Sequence, residues 1–130
     1  MKAVVKVSRG YGNIEVKEVP EPVCGEDEVK IEVKATGVCG TDIHVMHDEF
    51  VTTPPVIMGH EFCGQIVEVG SNVKRYKVGD RVVAENVCIG CGECEMCSTG
   101  HYAICPSRGA QGLNVDGGFA KYVVCREKFA

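Results

Sequence analysis

Four cysteines, at 91, 94, 97 and 105, fall within the fifteen residues Cys91-Gly-Glu-Cys94-Glu-Met-Cys97-Ser-Thr-Gly-His-Tyr-Ala-Ile-Cys105. Two-residue gaps let successive sulfurs converge on one point while the backbone wraps around it, the arrangement in which zinc takes four thiolates tetrahedrally at ~2.3 Å. Gly90, Gly92 and Gly100 supply the bends, because glycine reaches positive φ without a steric penalty. A disulfide framework is the competing account. The N-terminal run Met-Lys-Ala-Val-Val-Lys-Val has basic residues interrupting a short apolar stretch, so it is neither a secretory leader nor a membrane span. The chain is therefore expected to be cytoplasmic, where clustered cysteines are metal ligands more often than bridges. Cys88 stands in the same register before Cys91, so spacing offers five candidates for four positions and does not choose among them.

A second constellation begins Gly37-Val-Cys39-Gly-Thr41-Asp42-Ile-His44. Its spacing suits a helical turn starting near Cys39, and the free amides and partial positive charge of a helix start favour a thiolate there, ready to bind metal or to react. Further on stands Met58-Gly59-His60-Glu61-Phe62-Cys63-Gly64. His60 and Glu61 can present nitrogen and oxygen to one ion, and Cys39 can add sulfur. Three protein ligands leave a fourth position open, which is what separates a catalytic zinc from a structural one. Taken singly, Cys39 reads equally well as a buried cysteine beside a cap, and His60 as a structural histidine. Their coincidence with the hydroxyl and imidazole of Thr41 and His44 points to function.

The elements that must hold these groups are mostly strands. Short β-branched runs separated by turn residues predict strands over Ala3–Val7, Ile14–Val19, Val29–Ala35, Gln65–Val69, Arg81–Ala84 and Phe119–Val124. Val29, Ile31 and Val33 alternate with Lys30, Glu32 and Lys34, the period of a sheet with one wet face. Gly10-Tyr-Gly-Asn13 closes a hairpin, and Pro20, Pro22, Pro54 and Pro55 mark loops. Many short strands with glycine-rich turns imply a mainly β fold, a barrel or folded sheet with a few short helices.

At 130 residues, 45% hydrophobic and 25% charged, the chain fits one globular domain over residues 1–130. A net charge of −4 with interspersed signs leaves no electrostatic footprint for nucleic acid. Lys74, Arg75 and Lys77, like Glu26-Asp27-Glu28, read as solvated surface, and no apolar run is long enough for a membrane.

Cys-Gly-Thr-Asp-x-His at 39 to 44, Gly-His-Glu at 59 to 61, Gly-Asp-Arg-Val at 79 to 82 and the four-cysteine lobe occur in the order and approximate spacing of a known family. The chain resembles the N-terminal catalytic domain of the zinc-dependent medium-chain alcohol and polyol dehydrogenases. The resemblance implies a GroES-like β-barrel, a structural zinc on Cys91, Cys94, Cys97 and Cys105 with Cys88 a bystander, and a catalytic zinc on Cys39 and His60. Glu61 is implied either as a direct ligand, as in polyol dehydrogenases, or as a nearby carboxylate. Thr41 would accept the proton of a small-molecule alcohol or polyol, and His44 would help pass it to solvent. An alkoxide loses hydride far more readily than an alcohol, and zinc lowers a hydroxyl's pKa as it does that of water.

The hydride acceptor in this family is NAD(P), yet the sequence contains no Gly-x-Gly-x-x-Gly between a strand and a helix. The expectation is therefore an excised or truncated N-terminal domain, without the Rossmann domain and inactive alone, from a parent that is a homo-oligomer. Asp116-Gly-Gly-Phe119 and His60-Glu-Phe62 resemble the polyol and secondary-alcohol branches, although threonine dehydrogenases share much of the pattern. The alternative from another class is a free-standing zinc-binding scaffold or thiol sensor, supported by Cys24, Cys63, Cys88 and Cys125, which free cysteine's behaviour as a small core hydrophobe also explains. His47 and His101 have no matching role and read as surface residues.

Overall fold

The computed structural model describes all residues from Met1 to Ala130. In chain order the elements are β1 (Lys2–Lys6), β2 (Ile14–Glu18), β3 (Glu28–Gly37), α1 (Gly40–Met46), β4 (Val56–Ile57), β5 (Glu61–Val69), β6 (Arg81–Val83), β7 (Val87–Ile89), α2 (Glu95–Ser98), β8 (Gly109–Ala110) and β9 (Tyr122–Arg126). Single 3-10 turns follow at Tyr102–Ile104 and Glu127–Phe129. All strand pairings are antiparallel, in three sheets ordered β2-β1-β4, β6-β5-β3-β9 and β7-β8. The stretch Phe119–Lys121 joins the first two into one barrel-like wall: the Val4 N–H donates to Phe119 O and the Val33 N–H to Lys121 O, each at 2.9 Å. The mainly β expectation holds.

Alternation builds the core as the sequence implies. Val29 and Ile31 turn inward to meet Phe62, Ile66, Val123, Cys125 and Phe129, with Val33 packed at the margin. Burying each large aliphatic or aromatic side chain of this group contributes about 1.5–3 kcal/mol. Ala3, Val5 and Ile57 form a smaller cluster between the strands of the first sheet. The β1–β2 hairpin turns through Gly10, Gly12 and Asn13, all at positive φ. Lys6 is completely buried, which is rare for a lysine. Its ammonium donates to Gly10 O and Gly12 O, both at 2.6 Å, so a charge at the end of β1 holds the hairpin loop closed.

Strand β5 starts at Glu61, four residues ahead of the predicted Gln65. Gly64 serves close approach: a Cβ would lie 2.2 Å from Glu32 O across the β3–β5 ladder. That ladder carries register shifts at Lys30/Ile31 and Val33/Ala35, and its far end pairs Gly37 with Glu61. The residues leading into α1 and those around His60 are thereby brought side by side. Strand β9 begins at Tyr122 rather than Phe119, because residues 119 to 121 bridge the sheets instead. Strands β4, β7 and β8 have two or three residues each, too short to show a period in sequence.

Candidate metal centres

Helix α1 realises the turn expected after Cys39. Cys39 is its N-cap in extended conformation, and its N–H donates to Asp42 Oδ2 at 2.9 Å, satisfying a donor that the helix start leaves free. Cys39 Sγ lies 3.6 Å from Thr41 Oγ1. Thr41 and His44 are three positions apart on α1 and so share a face.

Opposite stands the turn Met58-Gly59-His60. Gly59 has φ +89, and a Cβ there would sit 2.3 Å from Phe119 Cδ1. The turn is braced from behind by Asp116-Gly-Gly-Phe119. Asp116 Oδ1 accepts the Ile57 N–H, and the Gly118 N–H donates to Gly59 O, both at 2.8 Å. Gly117 packs so closely that a Cβ would be 2.0 Å from Gly59 O. The motif at 116–119 thus positions His60. Gly37 performs a similar service, since a Cβ there would meet Glu61 Oε2 at 2.9 Å.

The outcome is one group: ligand-type atoms of Cys39, His60 and Glu61 all lie within 4.8 Å of one another. His60 is 7% exposed and its Nδ1 is 3.7 Å from Oδ1 of Asp42, itself 4% exposed. Both atoms are buried without another partner. A buried carboxylate facing one nitrogen of a histidine leaves the other nitrogen for a metal, the usual support of a ligating imidazole. Sequence reasoning placed Asp42 only as a helix residue; the signal available was its N3 position, which ties it to Cys39, not its approach to His60.

His44 lies at the surface, its side chain 60% exposed, with Nδ1 2.8 Å from Glu49 Oε2. Glu49 was not anticipated. His47 is also at the surface, stacked on Tyr11 with ring centroids 5.4 Å apart. His101 is exposed.

The lobe closes around its own cysteines. Cys94 caps α2, and the N–H groups of Cys94 and Cys97 donate to Cys91 Sγ and Cys94 Sγ, each at 3.4 Å. Gly92 and Gly100 take positive φ at the bends. The sulfurs of Cys91, Cys94, Cys97 and Cys105 lie within 4.8 Å of one another, with the Cys91–Cys97 and Cys94–Cys105 pairs at 3.9 Å. A tetrahedron with ~2.3 Å zinc–sulfur bonds needs sulfurs about 3.8 Å apart, whereas a disulfide needs about 2 Å. The donor set therefore fits zinc. Hydrogen bonds from the backbone of Cys94 and Glu93, then from neighbouring thiols, draw the Cys91 thiol down to about 6. At Cys94 the lowering by the Cys97 amide is outweighed by desolvation and the neighbouring thiols, which push it up to about 11, so without a cation one thiolate forms readily and a second does not. Tyr102, within the lobe between Cys97 and Cys105, donates to both oxygens of Glu85 and packs edge-on against Phe129, fastening the lobe to the barrel.

Cys88 lies outside the group, buried in β7, and burial pushes its thiol up to about 11. Burial first, then the neighbouring Cys88, pushes Cys125 up to about 12, and Cys24 is raised by burial and the nearby carboxylates Glu68 and Glu28. These three thiols resist ionisation and suit packing better than sensing.

Residues 25–130 match the family model described as the alcohol dehydrogenase GroES-like domain. The chain is 48% identical over 128 residues to a sorbitol dehydrogenase of Halalkalibacterium halodurans, covering 98% of this chain and 37% of that protein. It is 46% identical to an L-threonine 3-dehydrogenase of Caldanaerobacter subterraneus, covering 95% of this chain and 36% of the relative. A solved structure from Sinorhizobium meliloti 1021, described as a zinc-binding dehydrogenase bound to NADP, superposes with a TM-score of 0.91 at 44% identity, covering 98% of this chain and 36% of that one. The chain thus spans a little over a third of the length of the relatives it matches.

Proposed function

The chain belongs to the alcohol dehydrogenase GroES-like domain family, and from that premise we propose that it is the zinc-carrying domain of a nicotinamide-dependent alcohol or polyol dehydrogenase. The observation that carries this reading is the meeting of Cys39, His60 and Glu61 in one group, separate from the four-cysteine lobe. In this reading residues 1–130 are a single domain, and the fold that binds NAD(P) is supplied by other parts of a protein about as long as the relatives. Nine free cysteines and no helix long and apolar enough to cross a membrane accord with a cytoplasmic setting.

Cys91, Cys94, Cys97 and Cys105 would hold a structural zinc. Cys39, His60 and Glu61 would hold the catalytic one, and its proximity to the other two favours Glu61 as a ligand rather than a bystander. Bound there, zinc supplies the Lewis acidity that makes a substrate hydroxyl easier to deprotonate. The chain's own residues do the rest. Asp42 orients His60 through Nδ1, while the negative charges of Cys39 and Glu61 balance the cation. Thr41 Oγ1, beside Cys39 Sγ, accepts the hydroxyl proton and relays its own toward His44 on the same face of α1. The substrate is a small alcohol, with polyols and secondary alcohols favoured by the 48% identity to a sorbitol dehydrogenase.

The test is zinc stoichiometry by native mass spectrometry with elemental analysis, on the parent, Cys39→Ala and Cys97→Ala. Two zinc ions per chain are expected, one lost in each variant. A parent holding no zinc, or one that Cys39→Ala leaves unchanged, refutes the catalytic-site assignment.

A further inference from the structure

Helix α1 ends in a tight turn. The His47 N–H donates to Ile43 O at 3.0 Å, the Asp48 N–H to Val45 O at 3.1 Å and the Glu49 N–H to His44 O at 2.9 Å, with Asp48 at φ 63. The turn is fastened to the β1–β2 loop, since Arg9 Nε donates to Asp48 Oδ1 at 2.6 Å and the Gly12 N–H to Met46 O at 2.7 Å. Glu49 is thereby held between two imidazoles, with Oε2 2.8 Å from His44 Nδ1 and Oε1 3.9 Å from His47 Nδ1. The hydrogen bond from His44, then the charges of His47 and His44, hold its carboxyl below the usual carboxylate range.

An ionised carboxylate only accepts hydrogen bonds. The His44 nitrogen that faces it must therefore be the donor, which fixes a tautomer that neutral histidine otherwise chooses by local preference. We propose that Glu49 is a positioning residue for proton release, locking His44 with its proton on Nδ1 and its lone pair on Nε2. Nε2 is then the nitrogen that accepts the proton relayed through Thr41, and the carboxylate at Nδ1 offsets the charge of the imidazolium that forms. The imidazolium returns to the same tautomer by giving one proton to solvent, to which the side chain is open, so one proton enters and one leaves. The role in proton release rests on the dehydrogenase reading above; the tautomer does not.

The two parts are tested separately. With 15N-labelled histidine, long-range NMR correlations at a pH where His44 is neutral report which nitrogen carries the proton. The Nδ1–H form is expected to dominate in the parent and the Nε2–H form in Glu49→Ala, with the amide spectrum showing that the fold is kept. An Nε2–H form in the parent, or a tautomer that Glu49→Ala leaves unchanged, overturns the proposal whether or not the protein binds zinc. In the intact dehydrogenase Glu49→Ala is expected to lower kcat roughly tenfold, a fraction of what a proton-transfer group contributes, with KM little changed. An unchanged kcat beside a switched tautomer overturns the role in proton release.

Discussion

Replacing Asp42 by Asn tests whether the buried carboxylate prepares His60 for a metal. One oxygen of Asp42 accepts the Cys39 N–H at 2.9 Å, and the other stands 3.7 Å from His60 Nδ1, where neither atom has an alternative partner. Asparagine has the same shape, and its carbonyl can keep the cap bond, so α1 should remain intact. Its NH2 group then faces Nδ1. A donor in that position selects the tautomer with the lone pair on Nδ1 and the proton on Nε2, where a ligand lone pair is wanted. Loss of such a supporting partner weakens metal binding about 10- to 100-fold, or about 1.4–2.8 kcal/mol. Zinc affinity is read by competition against a chromophoric chelator, with the lobe as internal reference. The expected result is one weakened site and one unchanged site, at a thermal midpoint close to that of the parent. Two unchanged sites would refute the role of Asp42, and a parallel loss at both would show that the substitution acts through general unfolding.

Two further expectations concern stability. Gly64→Ala drives a Cβ to 2.2 Å from Glu32 O and 2.6 Å from Ile31 Cγ2 in the central ladder, so a loss of about 1–3 kcal/mol, as for other overpacked interiors, should appear in urea unfolding; an unaltered midpoint would show that β3 and β5 separate freely. Cys125, with its folded-state thiol pushed up from 9.0 to about 12 by burial and then by Cys88, binds more protons folded than unfolded in that interval. Its contribution is therefore full below about pH 9 and is lost as pH rises toward 12. Urea midpoints should fall through this range and fall less in Cys125→Val, and equal slopes in both proteins would contradict the assignment.

The readability of each feature in the sequence follows its distance along the chain. The lobe is legible because all four sulfurs lie in one fifteen-residue segment whose glycines take the expected positive φ. Cys39 and His60 are individually ambiguous, and only the ordered motif set joins them before the β3–β5 ladder is seen. Asp42 was visible as a helix residue, but its approach to His60 is tertiary. Glu49 follows His44 by five residues, a spacing that matches neither helix nor strand, and it reaches the imidazole because the turn at Asp48, at positive φ, brings the Glu49 N–H onto His44 O. Gly64 and Lys6 take their roles from the tertiary structure alone. The glycine marks close strand approach, while the lysine is buried because two loop carbonyls receive its ammonium.

The two cysteine-bearing groups differ in when they can come into being. Cys91 to Cys105 closes within one short segment, and closing a loop of about ten residues takes on the order of 10–100 ns. Cys39 and His60 are 21 residues apart and face each other only after β3 has paired with β5 through two changes of register. Long-range antiparallel pairing is a slow event, because loop closure precedes the contacts that reward it. The lobe is thus expected to close while the barrel is still forming, and the Cys39–His60–Glu61 group to come together later. In refolding with limiting zinc, occupancy should begin at residues 91–105, and a chain trapped in the wrong β3 register would keep Cys39 apart from His60 and Glu61.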